Sequence, residues 1–185
     1  TPDGIRLFME PVKEVESLRN RMREMKGVAV VSPGKDWLMP FTASGYGVLR
    51  YGPSTYMKML INSPLCDNEL TIDVSKVEQL VIRIGEQTVV YDAQKGRIAL
   101  DNISAPLTVK DGILKLRILY DWTSIELFAQ DGEVQIAECF VPKTGGSSRD
   151  LQEFYKGLTI STVGGEAKIL NAKTWNMSSI WPKFY

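Results

Sequence analysis

Apolar and polar residues alternate through most of the chain after Asn68, and a period of two predicts strands with one buried face. Leu70-Thr71-Ile72-Asp73-Val74 alternates in this way. Gln79 to Ile84, Thr88 to Tyr91 and Arg97 to Leu100 follow, the last after the turn-like Asp92-Ala93-Gln94-Lys95-Gly96. Short strands at intervals of about ten residues predict a sandwich or a barrel rather than a βαβ sheet. No convincing internal repeat of propeller-blade length is present.

Leu114 to Cys139 carries the most specific pattern. Leu114, Leu116, Ile118 and Tyr120 alternate with Lys115, Arg117, Leu119 and Asp121. With Trp122-Thr123 as a two-residue turn, Asp121 pairs with Ser124, Tyr120 with Ile125, Leu119 with Glu126, Ile118 with Leu127 and Arg117 with Phe128. A second turn at Asp131-Gly132 pairs Ala129 with Val134 and Leu127 with Ile136, extending one continuous apolar face. Arg117, Asp121, Ser124 and Glu126 then share the opposite face. Bidentate acceptors, a hydroxyl and a planar guanidinium match the vicinal diols of a sugar, and Trp122 would add an aromatic platform. The same residues also suit a solvated sheet face with a cross-strand salt bridge, or a polar patch docked on another domain. For Trp37, Trp122, Trp175 and Trp181 alike, packing in a core or interface is the ordinary alternative to sugar stacking.

The first part of the chain has a different period. Val12, Val15, Leu18, Met22 and Met25 recur at spacings of three and four, which predicts a solvated helix from Pro11 to Met25 stopped by Gly27. Val28 to Val31 reads as a short strand. Between there and Leu65, Pro33, Gly34, Pro40, Gly45, Gly47, Gly52, Pro53 and Pro64 predict mainly loop. A boundary falls between a linker with helix, 1–27, and a β domain, 28–185. The opening Thr1-Pro2-Asp3-Gly4 has neither methionine nor a signal segment, so the expectation is a piece of a longer product.

Composition narrows the chemistry. The 185 residues contain no histidine, which removes Ser-His-Asp and Cys-His relays and imidazole metal ligands. Cys66 and Cys139 are too far apart in sequence for a zinc ribbon or C-x-x-C pair, so neither metal nor cofactor is expected. With 22 Lys plus Arg against 22 Asp plus Glu, the chain lacks the basic surface that a nucleic-acid partner requires. No apolar run of about 18 residues predicts a membrane span. At 44% hydrophobic residues the chain can build a substantial core.

Asp121-Trp122-Thr123-Ser124-Ile125-Glu126-Leu127-Phe128, followed by Asp131-Gly132-Glu133, resembles the D-x-S-S-x-E-x-F…D-G signature of the C-terminal module of glycoside hydrolase family 32, the levanases, inulinases and invertases. Gly4-Ile5-Arg6-Leu7-Phe8 with Pro11-Val12-Lys13-Glu14-Val15 and Leu18-Arg19 resembles the linker that leaves that family's catalytic propeller. Tyr91-Asp92, Leu100-Asp101, Ala105-Pro106-Leu107 and Ile180-Trp181-Pro182 fit the rest of the module. Trp122 and Thr123 depart from the family, which commonly has Arg and Ser at those positions.

The resemblance implies an all-β, two-sheet antiparallel sandwich of the concanavalin or lectin-like jelly-roll type with a short N-terminal linker helix. It implies a non-catalytic module of a fructan-degrading enzyme, packed on a five-bladed propeller of the same polypeptide and exported with it. The alternative is a carbohydrate-binding module for the fructose units of levan-type fructans, with Arg117, Asp121, Trp122, Ser124 and Glu126 as its site. The family's W-x-N-D-P-N-G and R-D-P motifs do not occur. Glu138-Cys139 matches its E-C motif, but it follows the sandwich signature and reads as coincidence. In the paired register Glu138 faces the core, where a bulge or a strand end before Phe140 is expected.

Overall fold

The computed structural model describes residues 7–40, 43–51, 55–62, 65–121, 123–141 and 157–178. The larger sheet is built around β15 (Ala167–Met177), which pairs on one side with β6 (Cys66–Asp73). On its other side lie β1 (Arg19–Glu24) and β2 (Ala29–Val31). Beyond β6 come β11 (Ile113–Tyr120), β12 (Ser124–Ala129) and β13 (Val134–Cys139), all antiparallel.

The second sheet runs β10 (Ile103–Pro106), β9 (Arg97–Leu100), β8 (Gln87–Asp92), β7 (Gln79–Ile84), β14 (Gly157–Val163) and β3 (Trp37–Pro40). A hairpin of β4 (Ala43–Tyr51) and β5 (Thr55–Asn62) forms its own two-stranded sheet. The expected two-sheet antiparallel sandwich is thus present.

Alternation places the core between the sheets. Leu114, Ile118, Ile125 and Leu127 of the larger sheet are fully buried, as are Leu80, Ile82, Ile98 and Ile160 of the smaller one. Interdigitation of two such inner faces is the usual source of a sandwich's stability. The β11–β12–β13 register agrees rung for rung with the paired alternation: Tyr120 opposes Ile125, Arg117 opposes Phe128, and Ala129 opposes Val134. Glu138 opposes Ile125 without a bulge, and the strand ends at Cys139, before Phe140.

Two expectations are corrected. Pro11 to Met25 is not one helix: a 3-10 segment covers only Lys13–Leu18, and Arg19–Glu24 is a strand. The exposed edge of β15 offers this segment a ladder of backbone partners, and tertiary pairing overrides local helical spacing. Val12 and Met22 of the supposed apolar stripe are more than half exposed, at 65% and 52%. The stretch expected to be mainly loop contains β3, β4 and β5; Pro40 is tolerated because it ends an edge strand.

The turn between β12 and β13 anchors the N-terminal segment. Gln130, Asp131 and Gly132 all have positive φ, at 50°, 55° and 87°. The Met9 amide donates to the Gly132 carbonyl at 3.0 Å. A Cβ at residue 132 would collide with the Met9 carbonyl, so glycine is required both by the turn and by the N-terminal segment lying against it.

Cys66 is 1% exposed, and burial pushes its thiol up to about 12, while Cys139 is exposed. An unfolded cysteine titrates near 8.5. Between those values the unfolded chain has lost a proton that the native chain keeps. The Cys66 contribution to stability is therefore complete below about pH 8.5 and declines as pH rises toward about 12, by up to about tenfold in the folding constant per unit. A thiol reagent should label Cys139 in the native protein and Cys66 only on unfolding. Cys66→Ala should flatten the alkaline decline in urea-unfolding free energy; an unchanged decline, or rapid native labelling of both thiols, contradicts the assignment.

Candidate functional site

The outer face of the larger sheet carries the residues singled out by the hairpin pattern. Arg117 and Leu119 of β11 face outward beside Glu126 and Phe128 of β12, and the Asp121 amide donates to the Ser124 carbonyl at 2.8 Å to close the turn. Trp122 lies outside the described residues. Arg117, Asp121, Ser124 and Glu126 do share one face, but the described hydrogen bonds of Arg117 go elsewhere.

Arg117 turns toward β6 and the N-terminal segment. Its Nε donates to Asp67 Oδ1 at 3.1 Å and its Nη2 to Asp67 Oδ2 at 2.8 Å, a two-pronged pair. Nη1 lies 3.4 Å from Glu16 Oε1 of the 3-10 segment. Arg19 of β1 approaches the same carboxylate from the other side, with Nε donating to Asp67 Oδ2 at 2.7 Å, and its Nη2 donates to Glu69. The Arg19 guanidinium lies 3.9 Å from the ring centre of Trp175, a cation–π contact. Burial by itself would lower the Arg19 pKa, but the hydrogen bonds and charges of Asp67 and Glu69 outweigh it and hold the group above its usual value.

Asp67 is completely buried beneath these two guanidiniums. Its role is not visible in the local sequence, because Arg19 and Arg117 lie 48 and 50 positions away. The one available signal is a carboxylate at a strand position whose neighbours on both sides face the core.

The N-terminal segment crosses this face between two depressions. Glu126 lines one of them with Val12, Val15, Leu119, Phe128 and Gln135. Arg117 lines the other with Glu69, Thr71, Lys115, Phe128 and Asn171. Glu10, Pro11 and Phe128 border both, so the N-terminal segment divides the cluster that the hairpin pattern placed together. Asp121 and Ser124 line neither depression. Of the tryptophans, Trp37 packs against the core and Trp175 lies under Arg19. Among the described residues, no group of three or more Cys, Asp or Glu is arranged to hold a metal ion.

The family model described as glycosyl hydrolases family 32 C terminal matches residues 52–176. The levanase of Bacillus subtilis (strain 168) is 22% identical over 195 residues, covering 97% of this chain and 26% of the levanase. The levanase of Bacillus sp. (strain L7) is 21% identical, covering 98% of this chain and 19% of its own length. The chain therefore spans about a quarter or less of the curated relatives it matches. Among solved structures, the exo-inulinase of Aspergillus awamori superposes with a TM-score of 0.63 at 20% identity, over 95% of this chain and 33% of that one. Fructan 1-exohydrolase IIa of Cichorium intybus does so with a TM-score of 0.63 at 16% identity, over 97% and 39%. At these identities the superpositions establish a common fold.

Removing the shared carboxylate should be far more damaging than removing its rim partner. Asp67→Ala leaves two partly buried guanidiniums facing each other and should cost about 3–5 kcal/mol in urea unfolding. Glu16→Ala, which breaks only a half-exposed pair, should cost less than about 1 kcal/mol. Equal, small losses for the two variants would show that Asp67 is not the clamp.

Proposed function

The chain belongs to the glycosyl hydrolase family 32 C-terminal family, and from that premise we propose that it is the non-catalytic β-sandwich module of a fructan-degrading enzyme of the levanase or inulinase type. A module that spans only 26% and 19% of its levanase relatives leaves most of such a polypeptide to a catalytic domain elsewhere. The work assigned to the module is to pack on that domain, a propeller preceding it, and stabilise it.

The observation that carries this reading is the linker itself. It is pinned to the sandwich by Met9, Glu16 and Arg19, yet it leaves Leu7 (79% exposed), Phe8 (51%), Met9 (43%) and Val12 (65%) largely uncovered, the last three on the rim of the depression beside Glu126. Apolar residues clustered on a fixed surface are the mark of an interaction site, and this one lies on the segment that leads toward the preceding domain. Retaining hydrolysis needs two carboxyls about 5 Å apart flanking the scissile bond. Asp121 and Glu126 do not share such a pocket: Asp121 follows the last residue of β11, and Glu126 lines a depression without it.

A second reading, that the module also holds fructan, is supported by the polar depression beside Arg117 with the Phe128 ring in its wall.

The scaffold reading predicts no fructose release from levan, inulin or sucrose by the 185-residue chain; turnover abolished by Glu126→Gln would overturn it. In the parent polypeptide, Phe8→Asp with Val12→Asp should lower the melting temperature of the catalytic domain by several degrees, about what a loss of 1–2 kcal/mol produces. The same pair should leave the separate module's melting temperature nearly unchanged, because both side chains are more than half exposed there. A catalytic domain whose stability ignores both the substitutions and the removal of the module would refute the scaffold role.

A further inference from the structure

Glu69, Thr71, Lys115, Arg117, Phe128 and Asn171, roofed on one side by Glu10 and Pro11, enclose a groove of about 250 Å³ on the outer face of the larger sheet. Its floor is two neighbouring rungs of the sheet. Asn171, Thr71 and Lys115 are paired across β15, β6 and β11, and Glu69, Arg117 and Phe128 are paired across β6, β11 and β12.

The position of Asn171 depends on an irregularity in β15. Ala167 and Ile169 face the core, and strict alternation would send residue 171 there as well. The register shifts between Ile169 and Asn171, so that Ala172 takes the next buried position and Asn171 turns to the outer face. Bulges of this kind commonly re-aim a side chain at a site.

The chemistry of the groove selects a neutral, hydroxyl-rich ligand. Two cations, Lys115 and Arg117, are outnumbered by the three carboxylates of Glu10, Glu69 and Asp131, so the lining has no positive excess for a phosphate or an acid. Lys115 pairs with Asp131 at 2.8 Å and Arg117 with Asp67, which holds both charged heads in place. Among the described residues, the Thr71 hydroxyl and the Asn171 amide make no hydrogen bond, leaving donors and acceptors of both kinds facing the groove. Phe128, only 6% exposed, contributes a small apolar edge to the groove wall and no open stacking face. At about 250 Å³ the space is smaller than a typical drug-sized pocket and suits one or two sugar units.

We propose that this groove between the N-terminal segment and the sheet is a saccharide-binding site, with Asn171 and Thr71 as hydroxyl-recognising groups, the edge of Phe128 in its wall, and a fructose unit of a fructan as ligand. The choice of fructan rests on the second reading above; the location rests on the groove. The site is distinct from the Asp121–Ser124 end of the hairpin.

Titration of the 185-residue chain with levan and inulin oligosaccharides up to tens of millimolar, followed by NMR, tests both. Saturable shifts are expected, with intermolecular NOEs from sugar protons to the Phe128 ring. Asn171→Ala and Thr71→Ala should each weaken binding about tenfold, an effect on the scale of one lost hydrogen bond. Arg83→Ala, at an exposed position of the smaller sheet, should leave the affinity unchanged. Saturable binding that ignores Asn171 and Thr71 and shows no NOE to Phe128 overturns the groove while leaving fructan recognition intact. Absence of saturable binding to either oligosaccharide overturns both. The tested side chains are partly exposed, so their truncation spares the core, and the native spectrum of each variant verifies that it folds.

Discussion

One buried carboxylate joins three parts of the chain that have no sequence proximity. Asp67, on a central strand, accepts from Arg117 on the neighbouring strand and from Arg19 on the edge strand, while Arg117 also reaches Glu16 and Arg19 stacks on Trp175. A lone carboxylate at zero exposure is strongly unfavourable, and each guanidinium would be unfavourable without it. The cluster is therefore stable only when linker, edge strand and sheet are assembled together. This couples the position of the N-terminal segment to the folding of the sandwich, and the exposed apolar residues of that segment inherit a fixed orientation from it.

How much of this could be read from the residues differs sharply between elements. The β11–β12–β13 meander was legible because an antiparallel register is over-determined: a slip of one residue would send Ile118, Ile125, Leu127 and Ile136 to solvent together. The turn at Asp131-Gly132 was legible for a related reason, since its backbone has few solutions and glycine marks one of them. The stretch from Pro11 to Met25 misled because apolar spacing of three and four reports a helix only when a core lies along the stripe. Here Val12 and Met22 stay more than half exposed, and the free edge of β15 decides the outcome.

The candidate site was legible only in part. Alternation placed Arg117, Asp121, Ser124 and Glu126 on a common face, which a two-residue period settles. Which of them meet depends on what crosses that face, and the crossing segment comes from over a hundred positions earlier in the chain: Glu16 and Arg117 are 101 apart. Asn171 was illegible for a local reason, because strict alternation assigns it to the core and only an extra residue in β15 brings it out. The sandwich at 20% identity to a solved inulinase illustrates the same division: the buried pattern of a fold tolerates wide substitution, whereas surface groups depend on individual side chains.

The placement of β1 has a mechanical side. It runs antiparallel to β15 with Arg19 opposite Met177, so the linker enters the sheet at the first rung of that ladder. Tension pulling Arg19 and Met177 apart would load these rungs one at a time, as a zip is opened, rather than all together in shear. The rung that would part first is the one held by Arg19 on Asp67, Glu69 and Trp175, so the strongest side-chain fastening on this edge sits where peeling would begin. Disturbance of the N-terminal segment is thereby met at the entry rung and kept from running down the remaining, largely exposed length of the strand.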